Sequence, residues 1–169
     1  VKIAFYLFLI QLLFACAKRQ DQKLSTNSYS HDVGDILFDA VLDDPAFLLC
    51  DSTKIITSRS ALAYQGNRSA IAQVVKNQFI LQPEYSTFSG FIVVRFIVNC
   101  KDQPGRFRLE TLGMDFQRNE CPKALTKHIL SIIQELYAWS HYMPRYAKYD
   151  CAKFLNLKIV DGKIMDVIQ

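Results

Sequence analysis

Residues 90–112 read GFIVVRFIVNCKDQPGRFRLETL, and this stretch decides the fold class. Residues 91–99 are apolar on both alternations except at Arg95, the pattern of a strand covered or half covered on both faces. Asp102-Gln103-Pro104-Gly105 follows, a tight-turn sequence in which Gly105 is placed to take a positive φ. Residues 106–112 then alternate. Phe107, Leu109 and Thr111 fall on one side, with Arg106, Arg108 and Glu110 on the other. That is the signature of a half-buried strand, and the two strands make a hairpin.

Downstream, Pro122 suits the first turn of a helix. Leu125, Ile129, Ile132, Ile133 and Leu136 form its apolar stripe, extended by Trp139, with Lys123, Lys127, Ser131 and Glu135 opposite. Burying five such aliphatic side chains contributes on the order of 10 kcal/mol before entropy, so this long helix belongs on the apolar face of the hairpin. After Pro144 and the aromatic loop HYMPRYAKYD, residues 153–160 (KFLNLKIV) predict a third strand. Asp161-Gly162 is a two-residue turn of the I′ type, and residues 163–168 return as a last strand. Upstream, Gln65-Gly66-Asn67 signals a turn, and Asn67 is placed to cap a helix whose apolar positions are Ala70, Ile71, Val74, Val75 and Phe79. Residues 53–58 suggest a short strand. Residues 33–49 open on an amphipathic turn or short helix (Val33, Ile36, Leu37, Ala40, Val41), stopped at Asp43-Asp44-Pro45. The expectation is an α+β fold: an antiparallel β-sheet of β-hairpin, long helix and β-strand/hairpin, with helices packed on one face.

The amino terminus speaks to location. Lys2 precedes an apolar run from Ile3 to Ala15 broken only by Gln11. The run is too short to cross a hydrocarbon core of about 30 Å but has the length of a signal-peptide core. It ends Leu13-Phe14-Ala15-Cys16, which resembles the bacterial lipobox, so Cys16 is the expected lipid attachment residue. Residues 16–32, dominated by polar side chains, read as a flexible tether. The expected organisation is 1–15 lipoprotein signal peptide, 16–32 tether, 33–61 N-terminal extension and 62–169 folded domain.

The 169 residues carry a formal charge of +4 and are half hydrophobic. That excludes a disordered chain, and the charge is too mild for a nucleic-acid binder. Cys50, Cys100, Cys121 and Cys151 are candidates for disulfides, which export permits. The end of the first strand and the start of the third share one end of the sheet. Cys100 is thereby placed near Cys151, with Cys50 an equal competitor for Cys100. No pair has C-x-x-C spacing, and His31, His128 and His141 are scattered, so neither a metal nor a cofactor is expected. A catalytic role is not expected either. His128 and Cys121 lie about 10 Å apart on a helix, and no nucleophile elbow, H-E-x-x-H or phosphate loop is present.

The ordered set of pieces resembles the C-terminal domain of the TonB family. The matching segments are AYQGNRSAIAQVVKNQF, the hairpin at 89–112, the helix from Pro122 to Trp139 and KFLNLKIVDGKI, with Gly90, Phe96, Gly105 and Trp139 in place. The resemblance covers roughly residues 62–169. It implies a non-catalytic protein-binding module in the bacterial envelope, lipid-anchored and facing the periplasm from the outer membrane. Its implied partner is an outer-membrane transporter or receptor, held by strand addition, with no nucleic acid and no small-molecule substrate. The partner-binding edge it implies is Phe154, Leu155, Asn156, Leu157, Lys158 and Ile159. The alternatives are a structural lipoprotein docking through its aromatic loop (Trp139, Tyr142, Tyr146, Tyr149), or a cysteine-dependent enzyme.

Overall fold

The computed structural model describes residues 36–57 and 61–169. The expected signal peptide, Cys16 and tether lie outside the described residues. Among the described residues two α-helices and two sheets form an α+β domain. The hairpin pairs β3 (Gly90–Val98) with β4 (Pro104–Gly113), in register from Gly90↔Gly113 to Val98↔Pro104, with an irregularity between Arg95 and Ile97. On its other side β3 pairs antiparallel with β6 (Asp150–Val160), from Gly90↔Ile159 to Val98↔Cys151. β7 (Lys163–Ile168) returns along β6. The turn between them has φ 48° at Asp161 and 75° at Gly162, the pair of left-handed residues that a I′ turn requires.

The sheet is mixed rather than wholly antiparallel. β1 (Ile55–Ile56) runs parallel to the start of β6, with Ile55 opposite Asp150. A second, two-stranded sheet was not foreseen: β2 (Leu62–Tyr64) pairs with β5 (Trp139–His141). Trp139 therefore starts a strand instead of ending a helix. The helix closes earlier, as α2 (Lys123–Gln134). The indole stacks edge-on against Tyr64 at 5.0 Å and meets Phe96 at 5.3 Å.

One core holds the domain. Alternate residues of β3 (Ile92, Val94, Phe96, Val98) and of β6 (Cys151, Leu155, Leu157, Ile159) face Ile71 and Val75 of α1 (Asn67–Gln78) and Leu125, Ile129, Ile132 and Ile133 of α2. Asn67 does not cap α1 with its side chain. Gly66 occupies the cap position and Asn67 itself has a positive φ.

One further expectation is corrected and two open alternatives are decided. Of the turn or short helix expected at 33–49, the described residues 36–50 form turns, because Asp39 and Asp43 compete for the amides a helix would use. The Val41 N–H donates to Asp39, and the Asp39 N–H donates to Asp43. As a result Leu37 and Val41 stand 80% and 90% exposed. Gly105 does not take a positive φ; Asp102 and Arg106 do. Gly105 matters for another reason: a Cβ there would overlap the Phe47 ring, so it lets residues 44–48 lie against β4. Finally, Cys100 bonds Cys50, with Cα atoms 6.0 Å apart, while Cys121 and Cys151 stay free. Cys151 is in register with Val98 and faces the core, whereas Cys100 lies past the strand end and meets the segment that leads into β1.

Candidate functional site

The stretch expected to bind a partner lies inside the sheet. Leu155, Leu157 and Ile159 are fully buried in the core. Phe154, Asn156 and Lys158 alternate onto the opposite face. Asn156–Ile159 have β3 on one side and β7 on the other, so no edge is open there. This is a correction, and its cause is the Asp161-Gly162 turn, which folds residues 163–168 back as a covering strand. Among the described residues the outer side of β6 has no strand partner beside Ala152–Leu155, so the Phe154–Leu155 end of the expected stretch is uncovered. There the ends of β1 and β7 leave a cavity of about 320 Å³ lined by Thr57, Tyr64, Arg68, Lys153, Phe154 and Gln169, among others.

Among the described residues β7 has one strand neighbour, β6. Its outer side is partly closed by the chain's own side chains. The Val167 N–H donates to Asp166 Oδ1 at 2.8 Å, and the Val167 carbonyl accepts from Arg68 Nε at 2.7 Å. Arg68 Nη2 also donates to both oxygens of Asp166 at 2.8 Å, and the guanidinium holds that carboxyl below its usual range. Exposed edges carry unpaired amides and carbonyls, and side chains that occupy them are a known way of blunting an edge. Toward Lys163 the edge carries no such plug among the described residues. It adjoins a shallow cavity of about 440 Å³ lined by Leu81, Gln82, Pro83, Ser86, Asp161 and Lys163, with Ile80, Leu81 and Met165 exposed nearby.

A second constellation has the outline of a nucleophile, a base and an orienting carboxylate. Cys151 Sγ is 3.6 Å from His141 Nε2, and His141 Nδ1 is 2.7 Å from Asp102 Oδ1. Spacing along the sequence hides this set, because Asp102 and His141 are 39 residues apart. The chemistry it supports is fastening. Nε2 also lies 2.9 Å from the Tyr149 carbonyl, which only accepts, so that nitrogen donates and has no lone pair for a thiol proton. Cys151 is fully buried, and burial pushes its thiol up to about 11. At neutral pH it stays protonated, unlike an activated cysteine. Burial likewise raises Cys121 to about 11. His128 stacks on Phe79 at 5.2 Å, with its Nδ1 3.3 Å from the Tyr85 hydroxyl, inside a packing cluster on α2. Among the described residues no group of three or more His, Cys, Asp or Glu side chains is arranged to hold a metal ion, and no helix is long and apolar enough to cross a membrane.

The same end of the sheet is gathered by Asp150, whose buried carboxylate accepts from three amides. Cys50 N donates to both oxygens at 3.1 and 2.9 Å, Asp51 N to Oδ2 at 2.9 Å and Cys100 N to Oδ1 at 3.2 Å. Farther along the same segment, Asp43 takes a two-pronged contact from Arg108 at 2.7 and 2.8 Å. The carboxylate, 1% exposed, is thereby held below its ordinary value. Comparison with known protein families, with curated proteins and with solved structures finds no match to this chain.

Proposed function

We propose that the chain is a non-catalytic protein-binding module of the bacterial envelope, similar to the TonB C-terminal domain, which takes an extended segment of an outer-membrane transporter or receptor as an added strand. In this reading it is carried at the outer membrane, facing the periplasm, by a lipid on Cys16. The observation that supports strand addition is the outer edge of β7. Its Lys163 end has no plug among the described residues, and exposed Ile80, Leu81 and Met165 stand beside it. Main-chain pairing supplies affinity in this mode, and flanking apolar contacts supply selectivity. In this reading the edge is that of β7 and not that of β6, which the resemblance implies. Arg68 and Asp166 then fix where pairing must stop, at Val167.

The test is an amide-resolved titration of the labelled chain with peptides from periplasmic segments of such transporters. Shifts confined to residues 163–167 and 80–82 support the reading, and Arg68→Ala then tightens binding by lengthening the usable edge. Peptides that leave β7 unmoved at saturating concentration overturn it. Palmitate incorporation that persists in Cys16→Ala would separately remove the anchor.

A further inference from the structure

We propose that the loop 142–149, together with Lys54, is a docking surface for an anionic lipid bilayer. The inference is independent of strand addition and of any attached lipid.

Residues 141–149 read HYMPRYAKY, in which tyrosines alternate with cations. The fold brings a further cation to them. Lys54 Nζ lies 4.5 Å from the centre of the Tyr149 ring and Lys148 Nζ lies 5.2 Å from the same ring, while Arg145 stands 4.7 Å over Tyr146. A Tyr149 N–H to Tyr146 carbonyl bond of 2.9 Å joins the two rings' backbones. Two ammonium groups on one half-buried ring repel each other, and none of the ion pairs among the described residues uses Lys54, Lys148 or Arg145.

The acids packed around the loop are occupied. Asp102 is bound to His141, Asp150 faces three interior amides, and Asp51 takes the Thr53 amide and hydroxyl. Asp51 is the carboxylate that feels Lys54. Residues 142–149 hold Arg145 and Lys148 and no acid, so with Lys54 the loop presents three cations, and they hold the Tyr149 phenol below its usual range, chiefly through its hydrogen bond with Lys54.

The partner that fits is a flat, negatively charged interface. The cations sit on an exposed loop and not in a cleft that could select one acidic side chain. Tyr142, 71% exposed, adds an amphipathic ring of the kind that settles at headgroup level. The platform is rigid before it binds. Tyr142 N donates to the Ala61 carbonyl at 3.2 Å, and His141 bridges Asp102 and Tyr149 at the loop's base, so little ordering cost remains.

The experiment is co-sedimentation of the full chain with phosphatidylcholine vesicles and with vesicles containing phosphatidylglycerol, at low and high salt. The deciding readout is the difference between the parent and the triple variant, because Lys2, Lys18, Arg19 and Lys23 at the amino terminus favour anionic vesicles in both. The chain should prefer the anionic vesicles and lose that preference at high salt. Lys54→Gln, Arg145→Gln and Lys148→Gln should each weaken binding about fivefold, and the triple variant about a hundredfold, with unchanged thermal melts. Equal binding to both vesicle types, or a triple variant that binds like the parent, overturns the proposal. So does a polyglutamate peptide that binds this loop while the anionic vesicles do not, which would make the partner an acidic protein.

Discussion

Replacing Asp150 by Asn tests whether one buried carboxylate fastens the amino-terminal segment to the sheet. The side chain keeps its shape and one oxygen. Cys50 N reaches both oxygens, but Asp51 N reaches only Oδ2 and Cys100 N only Oδ1. Whichever position becomes the NH₂ group, one buried amide faces a donor, and the surviving bonds lose the help of the negative charge. A hydrogen bond to a charged group contributes about 1.5–3 kcal/mol, and an orphaned buried donor costs about 1–3 kcal/mol. The net loss should be roughly 3 kcal/mol after relief of the carboxylate's own desolvation. For a chain of this size that corresponds to a melting temperature lower by about 9 °C. Asp150→Ala, which orphans all three amides, should lose more. Differential scanning calorimetry of the oxidised protein reads both. An Asn variant melting within about 2 °C of the parent, or above it, would refute the reasoning; it would mean that burying the charge costs as much as the three bonds return.

Two other outcomes follow from the same region. Reduction of Cys50–Cys100, which closes a separation of 50 residues, should cost about 4 kcal/mol by loop-closure entropy; urea titrations with and without reductant measure it, and equal midpoints would show the bridge to be idle. Asp43 is held below its usual range by Arg108, so its contribution is complete above about pH 4, the unfolded carboxyl value, and is lost as pH falls through the lower folded value. Asp43→Asn should lower stability at neutral pH and flatten the acid limb of a stability–pH series, and parallel acid limbs would contradict that assignment.

Regular elements were legible where a local pattern repeats. The hairpin at β3–β4, the apolar stripe of α2 and the Asp161-Gly162 return each depend on neighbours within about a dozen residues, which periodicity and turn chemistry can read. What sequence pattern missed depends on distance. The pairing of β2 with β5 joins three-residue strands more than 70 residues apart, too short for either to show alternation. Asp150 looks like any polar residue preceding a strand; its role appears only when residues 50, 51 and 100 arrive beside it. The aligned Cys151, His141 and Asp102 come from separate elements for the same reason. The open edge expected at residues 154–159 is covered from Asn156 onward, because residues 153–160 read equally well as an edge or an inner strand and the covering strand decides between them.

The carboxylate that clasps Cys50 lies 100 residues further along the chain, whereas the sulfur partner of Cys50 lies only 50 residues away. As the polypeptide emerges from its amino end, the covalent link is therefore able to close while β6 has yet to appear. The early segment, though made first, can reach its final seat only after residue 150 has been made. Oxidation machinery acting on the nascent chain would meet both thiols before the acid that later seals them in.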